Sequence, residues 1–216
     1  MPIPPHDQLQ AVVRSLTTTE RDGQEMRLLT AERRYPATPD EVWDALTNPE
    51  RVPRWFGGAV TGDLEIGGHF QIEGNAGGEV LACTPPETFS ITWEYGGAIS
   101  WVDVTLTVED DQTRLLLEHT APVDPTMWEQ FGPGAVGIGW EMALMGLDEH
   151  LRTPDADPAQ VQEWFTGPEG RPYLLECMTL CSDAWTAASI AAGTDPEAAR
   201  AAGQRCTEAY TAPPPE

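Results

Sequence analysis

The chain has 216 residues, of which 35 are acidic and 12 basic, for a formal net charge of −23, and 40% are hydrophobic. That much apolar material can bury a core in one ordinary domain with an extension, so disorder is not the default. The acidic excess argues against nucleic acid and anionic membrane surfaces as partners.

The opening MPIPPHDQLQ has no basic stretch followed by an apolar core. No window is apolar for long enough to cross a bilayer, so the expected location is the cytoplasm and no membrane partner is expected. From Gln8 to Arg21, Leu9, Val12, Val13 and Leu16 recur at helical spacing, which predicts a short amphipathic helix. Arg27 to Tyr35 reads as a first strand, ended by Pro36 and Thr38. Thr38, Pro39 and Glu41 then make a capping box before Val42, Trp43 and Leu46. Asn48 and Pro49 repeat the cap-then-proline signal, so a second short helix should carry Val52, Trp55 and Phe56 up to Gly57-Gly58.

An antiparallel meander follows. Its expected strands are Asp63 to Ile66, His69 to Glu73, Glu79 to Thr84, Phe89 to Tyr95, Trp101 to Val108 and Arg114 to Thr120, divided by glycine and proline turns. With the first strand they number seven. Alternation is cleanest in Phe89, Ile91, Trp93, Tyr95 and in Val102, Val104, Leu106, Val108, so one face of the sheet should meet a core. Gly134 to Arg152 should cover it, a helix with a stripe of Val136, Trp140, Ala143, Leu144, Leu147 and Leu151. Its glycines lower helix propensity, so packing must hold it, and they leave room beside it. Thr153-Pro154-Asp155 ends the pattern. Beyond Pro158 come further helices, the last capped by Asp195 with Pro196, before a loose proline tail. These ~60 residues bury too little core to stand alone, so they form an extension that packs on the domain or on a second chain, and a homodimer through the C-terminal helices is open.

Motifs for chemistry are sparse. There is no GxSxG elbow, HExxH, phosphate-binding loop or GxGxxG after a strand. His6, His69, His119 and His150 are too scattered for a metal site, and neither metal nor cofactor is expected. Cys83, Cys177, Cys181 and Cys206 lack paired zinc spacing, and Cys177 and Cys181, one helical turn apart, read as core rather than as a redox pair. Leu115, Leu117 and His119 share an inward strand face, where a histidine can orient a ligand, move a proton or satisfy a nearby backbone group. Glu141 and Asp148, seven apart on one side of the long helix, could reach a cavity mouth, although a plain solvated face is the simpler reading.

The segments ATPDEVWDALTNPERVPRWFGG, EIGGHF, PPETFSITWEY and GIGWEMALMGLDEHL stand in the order of a known family. The chain resembles the SRPBCC superfamily, and within it the branch named after the activator of Hsp90 ATPase. The resemblance implies an α+β helix-grip fold: a seven-stranded curved antiparallel sheet around a long C-terminal helix, with two short helices after strand 1. The resemblance covers a helix-grip domain (26–153); the apolar spacing on either side adds an N-terminal helical segment (1–25) and a C-terminal helical extension (154–216).

In such a fold the elements bearing Trp55, Phe56, Phe70, Trp93, Tyr95, Leu117, His119, Trp128, Phe131, Trp140, Glu141 and Leu144 surround the space between sheet and helix, which makes them candidate ligand-binding residues. The loop Ala121 to Gly134 is placed as its gate. Three functions remain open. The preferred one is binding of a small hydrophobic or amphipathic molecule without chemistry. The others are a cyclase or aromatase using His119, Tyr95 or Glu141, and a protein-interaction role of the kind the chaperone name implies.

Overall fold

The computed structural model describes residues 3–212, so the proline tail lies outside the described residues. After helix α1 (Pro5–Gln10) the chain enters strand β1 (Val12–Arg21). The amphipathic helix expected over Gln8–Arg21 is therefore mostly strand. Asp22 and Gly23 both take positive φ (53° and 79°), the left-handed pair that a two-residue primed turn needs. They fold β1 back on β2 (Gln24–Tyr35) in register from Arg21↔Gln24 to Val12↔Arg33. Pairing settles the competition between periods: Val12 and Leu16 turn inward as a strand places them, Val13 is 61% exposed, and the run Thr17-Thr18-Thr19 suits a pleated strand better than a helix.

The capping box forms as expected. In helix α2 (Pro39–Thr47) the Glu41 amide donates to Thr38 Oγ1 at 3.3 Å. Asn48 then accepts the Glu50 amide at 2.9 Å, and a single 3-10 turn, Val52–Arg54, takes the place of the second helix. Strands β3 (Val60–Gly62), β4 (His69–Ile72), β5 (Gly77–Thr84), β6 (Thr88–Tyr95), β7 (Ala98–Glu109) and β8 (Gln112–Pro122) complete one antiparallel sheet of order β1-β2-β8-β7-β6-β5-β4-β3. It has eight strands, not seven, because β1 joins it. The strand expected at Asp63–Ile66 lies three residues earlier, since Asp63 Oδ1 accepts the Glu65 amide at 3.0 Å and turns the chain there.

Helix α3 (Pro125–Phe131) is capped by Asp124, and α4 (Gly134–Arg152) lies on the inner face of the sheet, as its apolar stripe requires. Ala31, Val102, Val104, Leu106, Leu115 and Leu117 meet Leu144 and Leu147 there in the main core. The extension is α5 (Pro158–Thr166), α6 (Gly170–Ala191) and α7 (Pro196–Thr211), the last capped by the Asp195 side chain. Helix α6 packs on α4, α1 and β1, and α7 packs on α6 and α3. The glycines of α4 do not leave space beside the helix; neighbours fill it. Gly137 lies against the ring of Trp185, Gly134 faces Cys206 Sγ and Gly146 faces the Trp55 carbonyl.

Candidate functional site

Between α4 and the β3–β8 part of the sheet lies a cavity of about 350 Å³, at the lower end of the range for small-molecule sites. Four structures build it. Helix α2 and its following turn bring Trp43, Leu46, Trp55 and Phe56, and β4 and β5 bring Phe70, Ile72 and Val80. Strands β6 to β8 contribute the inward alternation Phe89, Ile91, Trp93, then Val102, Val104, then Leu115, Leu117. Helix α4 closes it with Trp140, Ala143, Leu144 and Leu147. Thr47 and Cys83 add the polar lining atoms beyond the indoles, and Leu64 and Pro85, both solvent-exposed, mark the mouth.

The aromatic rings touch in series. Trp43 stacks edge-on to Phe89 (5.8 Å between centroids), Trp55 to Phe56 (5.4 Å), Phe56 to Trp93 (6.2 Å), and Trp93 lies 5.0 Å from Trp140. Edge-on pairs of this kind contribute about 0.5–1.5 kcal/mol each beyond their area burial. Trp55 is further fixed by its indole N–H, which donates to the Ala45 carbonyl at 2.9 Å.

Of the twelve candidates from the sequence, Trp55, Phe56, Phe70, Trp93, Leu117, Trp140 and Leu144 line this cavity. Five sit elsewhere. Tyr95 follows the inward alternation but stands at the end of β6, 64% exposed, where the sheet runs out beyond the core. Trp128 packs with Leu16, Leu29 and Trp185, and Phe131 with Ile138, Cys181 and Cys206. Their segment is not a free gate: it forms α3, and Arg205 of α7 holds the Glu129 and Gln130 carbonyls at 2.7 and 2.9 Å.

Glu141 and Asp148 are buried rather than solvated, at 3% and 2% exposure. Arg14 of β1 clasps Glu141 through Nε and Nη2, at 2.7 and 3.0 Å, and Cys181 donates to the same carboxylate at 3.1 Å. Arg33 of β2 meets Asp148 at 3.1 Å, with Arg152 at 2.9 Å. Two turns apart on α4, these carboxylates fasten the helix to the β1–β2 hairpin. No solvated face was possible once β1 and α6 covered that flank.

His119 is inward and 5% exposed, yet it lies behind the cavity wall. Trp140 Nε1 donates to its Nδ1 at 2.8 Å, Ser100 Oγ lies 2.8 Å from its Nε2, and Ser100 in turn donates to the Trp93 carbonyl at 3.0 Å. An indole nitrogen only donates, so Nδ1 is the acceptor and the proton sits on Nε2. Burial pushes the imidazole pKa down to about 4, because the charged form would lose its hydration. His119 is a neutral, fully satisfied strut.

Three cysteines, Cys177, Cys181 and Cys206, are free and buried, as core residues, and burial raises the first and last thiols to about 11. The lining residues missed from the sequence had signals: Phe89 and Ile91 share the alternation of Trp93, and Trp43 and Leu46 follow the capping box. Among the described residues no group of acidic, histidine and cysteine side chains is arranged for a metal, and no helix is long and apolar enough to cross a membrane.

A family model described as activator of Hsp90 ATPase homolog 1-like protein matches residues 36–152. No curated protein matches this sequence. Among solved structures, CalU16 from Micromonospora echinospora is similar, at 35% identity over 83% of this chain and 98% of that chain, with a TM-score of 0.63. DynU16, from the dynemicin biosynthetic locus, shares the fold at 24% identity over 59% of this chain and 48% of that one (TM-score 0.53). The Aha1 dimer from Colwellia psychrerythraea shares it at 16% identity over 60% and 98% (TM-score 0.51).

Proposed function

The chain belongs to the activator of Hsp90 ATPase homolog 1-like family, and from the geometry of its chamber we propose that it binds a small, uncharged, largely apolar molecule between the sheet and α4 without transforming it. The observation that carries this is the lining itself: a preformed cavity walled by seven aromatic side chains, Trp43, Trp55, Phe56, Phe70, Phe89, Trp93 and Trp140, with aliphatic groups between them. Each Å² of apolar ligand surface that enters contributes about 25 cal/mol, whereas an ionised group would lose its hydration against walls that offer it no partner. Binding without chemistry is supported further by His119. A general base must reach the proton it takes, and both nitrogens of this imidazole are engaged behind Trp140.

Native mass spectrometry of protein purified without detergent tests the proposal. A discrete added mass, lost on denaturation and reduced in Trp93→Ala, is the expected result. Retention of that mass at the wild-type level in folded Trp93→Ala and Phe70→Ala would overturn it.

A further inference from the structure

Trp140 stands at a boundary. One side of its ring lines the cavity, where it meets Trp93. The other packs against the cluster of Leu16, Leu29 and the fully buried Trp185, which α6 inserts beside Gly137, one turn earlier on α4. Beyond Trp140 the space against α4 is taken by these side chains, and Trp140 touches both the open cavity and the filled cluster.

An indole at such a point has rotational freedom unless something fixes it. His119 does so, and the relay through Ser100 ends on the backbone carbonyl of Trp93, the neighbouring aromatic wall. Helix α4 and strands β8, β7 and β6 are thereby joined by three successive hydrogen bonds behind the ring. The indole donor is spent on His119 and so is not offered to a ligand. Selection at this end therefore rests on shape and length, not on a polar contact.

Resting on the binding function proposed above, we propose that Trp140 is the selectivity-determining end wall of the chamber and that His119 is the positioning residue that holds it through Ser100. The wall limits how far a flat apolar molecule reaches along α4.

The test uses full-length protein with naphthalene, phenanthrene and chrysene as uncharged probes of increasing length, their affinities read from probe fluorescence. Wild type should favour the shortest. His119→Leu, which cannot accept from the indole, should relax the naphthalene-to-chrysene preference by about tenfold, or ~1.4 kcal/mol. His119→Asn, whose amide oxygen can take the place of Nδ1, should keep it. A second readout needs no variant: nitrogen-15 spectra of wild type should show His119 with its proton on Nε2 and a hydrogen-bonded Trp140 indole.

An unrelaxed preference in folded His119→Leu, with wild type still binding, would overturn the end-wall inference alone. An Nδ1 proton on His119 would do the same. Failure of wild type to bind any of the three probes would remove the binding function and the inference together.

Discussion

His119 couples burial to pH. Its folded pKa, near 4, lies below the ordinary 6.5, so between those values the unfolded chain takes up a proton that the folded protein refuses. Stability from this residue is complete above pH 6.5 and is lost as pH falls toward 4, by at most roughly 3 kcal/mol. Urea denaturation at pH 7.5 and pH 4.5 should show the loss in wild type, and His119→Asn should show a smaller pH dependence. Asp148 illustrates the same cost for charge. With Asp148→Asn the guanidinium of Arg33, 2% exposed, is left buried beside a neutral amide, and stability should drop by about 3–5 kcal/mol. The double replacement Arg33→Met with Asp148→Leu removes both charges and should recover most of the loss in the same denaturation assay.

At the level of elements, α4 is set by what surrounds it. Gly137 and Gly139 are both helical glycines, and an Ala at either gains about 1 kcal/mol of intrinsic propensity. Their neighbours differ. A Cβ at Gly137 runs into the fully buried Trp185 ring, whereas at Gly139 it meets Tyr210 Oη at an ordinary 3.5 Å. Overpacking costs about 1–3 kcal/mol, so Gly137→Ala should lower the thermal midpoint and Gly139→Ala should hold or raise it, as scanning calorimetry would show. The β1–β2 hairpin follows a similar logic. Asp22-Gly23 was a legible turn signal, but the apolar spacing of Leu9 to Leu16 also fits a helix. Only the cross-strand ladder to β2 decides between them.

For the whole molecule, the extension completes the core. Leu16, Leu29, Ile138 and the Glu141–Arg14 pair are all covered by α6 or α7. A chain ending at Thr153 would expose them and strip the cover from one side of the Glu141–Arg14 ion pair. It should aggregate or unfold without cooperativity, as size-exclusion chromatography and circular dichroism would report, whereas loss of α5 to α7 from a self-sufficient domain would leave a soluble monomer.

The sequence alone determined the caps at Thr38 and Asp195, the span of α4 and most of the strands, because each is written in local terms: a side-chain cap, a proline, a period of two or of 3.6; the helix-grip arrangement of these elements was implied by the family resemblance. It also determined that Phe89 and Trp93 on β6 and Trp140 on α4 face the interior. What the tertiary structure decided was which neighbour each inward residue meets. Glu141 and Asp148 are buried because β1, β2 and α6 bring Arg14, Arg33 and Cys181 to them; His119 is a strut because Trp140 stands between it and the cavity; Trp128 and Phe131 serve the extension because α7 draws their helix away. These contacts join residues as many as 127 positions apart, as Arg14 is from Glu141, and no local pattern encodes a partner at that distance.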